Sequence, residues 1–78
     1  LAIHLEALRA AGTLEFDHDG SPMVAVHDRS LDVAVLYRNP EELTVSLENG
    51  VAIVAGEEYG PIEVPLESVY GYEALWFA

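Results

Sequence analysis

Two short stretches bring together side chains that could do chemistry. Asp17-His18-Asp19-Gly20 holds three potential metal ligands in four positions. A calcium loop of the helix-loop-helix kind needs oxygen ligands at alternate positions over about twelve residues, with glycine at the sixth. Only a fragment of that pattern is present, and on a strand His18 points away from Asp17 and Asp19. The expectation is a hairpin turn with solvated carboxylates and no metal. His27-Asp28-Arg29-Ser30 offers a base, an acid and a hydroxyl. A nucleophilic triad holds its base between nucleophile and orienting acid, usually from separate parts of a fold, a geometry that sequence neighbours do not produce. This stretch is expected to be a polar loop in which Arg29 offsets nearby acids. His4 has no partner at metal-binding spacing, and there is no glycine-rich phosphate loop, paired-histidine helix motif or serine elbow. The sequence points away from an enzyme and implies no cofactor or metal.

Charge is the stronger global signal. Fourteen acidic residues face three basic ones, Arg9, Arg29 and Arg38, for a formal net charge of -11. Such a surface repels phosphate, which disfavours direct binding to DNA, RNA or an anionic membrane. A basic protein surface would be attracted, with fast and salt-sensitive encounter. The competing explanation is solubility: net charge keeps a small, apolar domain dispersed. The acids do not form a block of five or six like charges, so they ride on folded elements and turns. A folded scaffold can hold carboxylates at set spacings, as imitation of a row of phosphates requires. The candidate contact residues are Asp17, Asp19, Asp28, Asp32, Glu41, Glu42, Glu57 and Glu58, with Tyr59 as an aromatic anchor between carboxylates.

The elements that must position these groups follow from length and periodicity. Seventy-eight residues, 51% hydrophobic, make one compact domain over 1–78. The absence of cysteine removes any disulfide framework or thiolate site. No run of 18 apolar residues occurs, and the first residues lack a signal-peptide pattern, so a cytoplasmic location is expected. Residues 2–11 have helical spacing, with Gly12 placed to end the helix. Residues 13–18 alternate, Asp19-Gly20 reads as a two-residue turn, and a return strand begins at Pro22. Residues 31–38 have the branched and aromatic content of a central strand. Residues 43–48 and 51–55 flank Asn49-Gly50, the strongest hairpin signal in the chain. A loop over 56–61, a short edge strand at 62–64 and a final strand through 68–78 complete the reading. The expected class is α+β: a short N-terminal helix packed on a bent antiparallel β-sheet of about five to six strands, or a small, partly open barrel.

The final strand suggests a second surface. Tyr70, Tyr72 and Trp76 share one face, with Leu75 and Phe77 on the other. Burial between helix and sheet would account for them. So would an oligomer interface through Tyr70, Tyr72, Trp76 and Phe77, since tyrosine and tryptophan are enriched at binding hot spots. Two functions therefore emerge. One is a protein-binding inhibitor that occupies a basic, nucleic-acid-binding surface of its target. In size, charge and lack of catalytic residues the chain resembles small phage-encoded antagonists such as anti-CRISPR proteins and other DNA mimics, a likeness of class without a shared motif. The other is an oligomerising or regulatory accessory domain, of antitoxin or immunity type, whose homodimer would use the aromatics and whose acidity would only confer solubility.

Overall fold

The computed structural model describes residues 1–69 and 76–78. Strand β1 covers Ala2–Ile3, helix α1 Leu5–Ala11, β2 Thr13–His18, β3 Ser21–Asp28 and β4 Val33–Arg38. Strands β5 (Val45–Glu48), β6 (Val51–Val54), β7 (Glu57–Tyr59) and β8 (Trp76–Phe77) follow. The broad class is roughly the expected α+β: among the described residues, mostly β, with one short helix and two antiparallel three-stranded sheets. The arrangement differs from one bent sheet of five to six strands. Among the described residues the strands form three sheets, β1-β8, β2-β3-β4 and β5-β6-β7, and none closes into a barrel.

The helix is shorter than its periodicity suggests because residues 2 and 3 are claimed by another partner. Ala2 and Ile3 pair in parallel with Trp76 and Phe77. Leu5 N–H then donates to Ala78 O at 2.8 Å, so the helix starts only after the chain has turned off this ladder. Its end is as expected. Gly12 takes φ 82°, and its N–H reaches back 2.7 Å to Leu8 O. Seven residues cannot sustain a helix alone, and Leu8, with no exposed surface, anchors it to the sheet.

The middle of the molecule is β3, not the 31–38 segment. Its alternate residues serve two cores. Met23 and Ala25 face α1 and β1, packing with Ile3, Leu8 and Leu36. Val24 and Val26 face the second sheet, packing with Tyr37, Val45, Leu47 and Val54. A strand apolar on both faces belongs inside. Segment 31–38 yields β4 only from Val33. On the side away from β3, among the described residues, it makes an isolated bridge, Tyr37 to Ser68.

Hairpin chemistry held. Asp19-Gly20 (φ 50° and 78°) and Asn49-Gly50 (φ 51° and 82°) both adopt the left-handed pairs that two-residue hairpins require. A third such turn, Ala55-Gly56, replaces the start of the expected 56–61 loop and launches β7. The expected strand at 62–64 is instead a turn between Pro61 and Pro65, with Glu63 N–H bonded to Gly60 O at 3.0 Å and Ile62 fully exposed. Among the described residues of the expected final strand, Trp76–Phe77 is strand and Ser68 forms an isolated bridge with Tyr37. Tyr70, Tyr72 and Leu75 lie outside the described residues. No helix among the described residues is long and apolar enough to cross a membrane.

Candidate functional site

The acidic candidates separate into two groups because β2 and β4 both run antiparallel to β3. The ends of β2 and β4 therefore lie at one end of the sheet, and the end of β3 lies at the other.

At the β2–β3 hairpin end, Asp17 pairs with Pro22, and Pro22 O accepts from Asn39 N–H at 2.9 Å. With strands about 4.8 Å apart, Asp17 and Asn39 are separated by about 10 Å across the sheet. Asn39, 2% exposed, shapes the loop that follows. Its Nδ2 donates to Leu43 O at 2.9 Å, and its Oδ1 accepts from Leu43 N–H at 3.0 Å. Glu42 N–H closes the turn onto Asn39 O at 2.9 Å. This leaves Glu41 and Glu42 exposed beside the hairpin, where Asp17 and Asp19 are also exposed. The sheet thus brings four of the expected contact residues to one end. Arg38, the arginine at this end, forms an ion pair with Glu67 at 3.1 Å. Among the described residues, none of the four carboxylates forms an ion pair with an arginine. His18 approaches Asp19 at 3.5 Å.

At the opposite end two expected contact residues are already engaged. Asp28 has no exposed surface, which removes it as a partner contact. Its Oδ1 accepts from Ser30 N–H (2.9 Å) and Leu31 N–H (3.1 Å), and its Oδ2 accepts from Gly50 N–H. One carboxylate thereby joins the β3–β4 loop to the β5–β6 turn of the other sheet. Burial pushes its pKa up, but the N–H groups of Gly50, Leu31, Asn49 and Ser30 together outweigh that, and the net shift is downward. Asp32 is exposed but occupied: it accepts from Arg9 Nε at 3.1 Å and Nη2 at 3.3 Å, and lies 2.7 Å from His27 Nε2. The His27 contact, then that of Arg9, holds its pKa below the usual carboxylate value. Arg9 also meets Glu6 at 3.1 Å. His27 and Asp28 therefore look in different directions, toward Asp32 and toward Gly50, and form no relay with Ser30.

The expected anchor also disperses. Glu57, Glu58 and Tyr59 lie on β7, where neighbours alternate. Glu58 pairs with Ile53, while Glu57 and Tyr59 share the other face. Tyr59 packs at the margin of the second core, and its hydroxyl donates to Glu57 Oε2 at 2.8 Å. That bond, with burial, raises its pKa. Tyr59 folds back over the core, so the ring of carboxylates around an aromatic does not form. At the chain's other candidate surface, Phe77 packs against the helix-side core, whereas Trp76 remains 48% exposed.

A depression of about 430 Å³ adjoins the Asp28 end, lined by Thr13, Arg29, Ser30, Ser46, Leu47 and Asn49 among others. Among the described residues no cluster of three or more His, Asp or Glu is placed to hold a metal ion. Compared with known proteins, the chain matches no protein-family model, no curated protein and no solved structure at significance.

The sequence contained one overlooked signal. Asp28 begins Asp-Arg-Ser, and aspartate two residues before a turn N–H is the pattern of a side chain bonding its own backbone. The Asp32–Arg9 pair joins residues far apart in the chain and had no local signature.

Proposed function

We propose that this protein is a small acidic protein-binding module that occupies a basic, nucleic-acid-binding surface of another protein, in the manner of phage-type DNA mimics and anti-CRISPR-like inhibitors. The observation that carries this reading is the collection of Asp17, Asp19, Glu41 and Glu42, all exposed, at one end of the sheet, where no arginine ion pair to them is seen among the described residues. A rigid hairpin and the Asn39-held loop present these charges without the ordering cost that a flexible tail would bear on binding. Charge of one sign steers encounter, so association should be fast and fall steeply with salt. Asp28, Asp32 and Tyr59 are withdrawn from the contact surface, and Glu57 and Glu58 no longer form a single patch.

The test is affinity capture from nuclease-treated extract of the source cells, washed at about 0.1 M and about 0.5 M salt. The expected result is a nucleic-acid-handling protein that added DNA or RNA displaces and that Asp19→Lys/Glu41→Lys/Glu42→Lys fails to capture. Capture unchanged by the triple variant would sink the assignment to this end. A second reading, an oligomerising accessory domain, is favoured by the exposure of Trp76 (48%), Leu31 (52%) and Val33 (44%). It predicts a dimer by light scattering at low micromolar concentration that Trp76→Ala dissociates.

A further inference from the structure

Strand β2 is the outer strand of its sheet, and the phase of its ladder can be read from two contacts. His27 N–H bonds Gly12 O at 2.9 Å, and Asp17 lies opposite Pro22, which has no N–H to give. In an antiparallel ladder, bonded and non-bonded pairs alternate. Leu14, Phe16 and His18 therefore direct their backbone groups to β3, while Thr13, Glu15 and Asp17 direct theirs outward. Among the described residues no other backbone bonds to Glu15 or Asp17 from that outer side.

The side chains along this edge sort by face. Leu14 and Phe16 belong to the helix-side face and line an apolar groove of about 340 Å³ with Ile3 and Ala7. Glu15 and Asp17 alternate onto the opposite face and are exposed, and Asp17, near the end of the strand, also borders the mouth of the groove. Charged side chains are a common protection against edge-to-edge association. Here the protection has one sign only, because β2 contains no lysine or arginine. Another copy of β2 laid alongside in an antiparallel register would set acid against acid, which is unfavourable. A basic strand would not be excluded.

We propose that the β2 edge accepts an extended segment of a partner protein whose side chains alternate apolar and basic, added as a fourth, antiparallel strand. The apolar row enters the groove over Leu14 and Phe16, and the lysines or arginines lie opposite Glu15 and Asp17. Residues directly opposite Glu15 and Asp17 share their face and exchange backbone bonds with them. The N–H groups that reach β2 therefore belong to the basic residues. Main-chain bonds supply affinity and the two rows supply selectivity. The proposal rests on the reading of the protein as a binder of basic proteins, and adds the shape of the element it grips.

The probe is a fluorescein-labelled eight-residue peptide of alternating valine and lysine, titrated with the unmodified protein and followed by anisotropy at about 0.1 M salt. Its affinity should exceed that of a four-valine, four-lysine block peptide by about tenfold or more, since the block cannot present two rows. Methylating the backbone nitrogens of the two central lysines should reverse that gain, whereas methylating those of the central valines should not. Equal binding of alternating and block peptides, or indifference to lysine N-methylation, overturns the strand-edge proposal and leaves the acidic-surface reading standing. Failure of both peptides to bind overturns the two together.

Discussion

At one end of the β2-β3-β4 sheet Asp28 is sealed beneath two loops and Asp32 is gripped by Arg9 and His27. At the other, Asp17, Asp19, Glu41 and Glu42 are exposed, and among the described residues no arginine forms an ion pair with them. The residue type is the same and its work is opposite. What differs is the supply of donors: the loop after β3 and the turn after β5 converge on the buried Asp28 carboxylate with the N–H groups of Ser30, Leu31 and Gly50. The hairpin end satisfies its own backbone through Asn39 and leaves its carboxylates unused. A net charge of -11 is therefore an uneven quantity. Part of it holds the fold together, and part is left available to something outside.

The sharpest way to break this comparison is to remove the buried carboxylate. Asp28→Ala removes three backbone hydrogen bonds and the link between the β3–β4 loop and the β5–β6 turn, and should lower the melting temperature by about 15 °C or more, or prevent folding, read by circular dichroism. Asn39→Ala should come next, at about 2 kcal/mol or about 10 °C, because it removes both bonds that shape the 39–43 loop. If it also weakens partner capture, the loop positions Glu41 and Glu42 as described. Acid titration separates the ends by a different route. Asp28 and Asp32 have folded pKa values below 3.8, so the stability they contribute is complete above about pH 4. It is lost as pH falls through the lower folded values. Melting temperature should thus decline below pH 4, less steeply in Asp32→Asn, while Asp19→Asn/Glu41→Gln/Glu42→Gln leaves that loss in place. Arg9→Ala breaks a solvent-screened pair and should cost only about 1–4 °C. The triple neutralisation of the hairpin end should be smallest in stability, within about 2 °C at pH 7, and largest in partner binding. A large loss of stability there would erase the distinction between the ends.

What could be read from the sequence was what is decided within a few residues. Asp19-Gly20 and Asn49-Gly50 are turns because their backbone angles favour those residues, and Gly12 ends α1 for the same reason. Alternation located β2 and β5, and the Asp-Gly and Asn-Gly turns located their return strands, β3 and β6. Pairings made at long range left no such trace. Nothing local says that Ala2 and Ile3 prefer Trp76 and Phe77 to helix α1, and β3 rather than β4 is central because of what packs on each face. The site follows the same rule. Exposed acids on the hairpin and loop were identifiable as acids in turns. The capture of Asp28 by Gly50, and the splitting of Glu57 from Glu58 by strand alternation, required knowing which segments meet.

The parallel pair β1–β8 bears on how the chain reaches this state. Ala2 meets Trp76 across nearly the whole described length, while the β2–β3 and β5–β6 hairpins each close over two residues. Loop closure becomes more costly with separation, so the hairpins can form early and the β1–β8 ladder must wait. The first turn of α1, tied to Ala78 O, waits with it. During synthesis Ala2 and Ile3 are made well before the strand they join, so loop closure places their docking late in folding, after the hairpins.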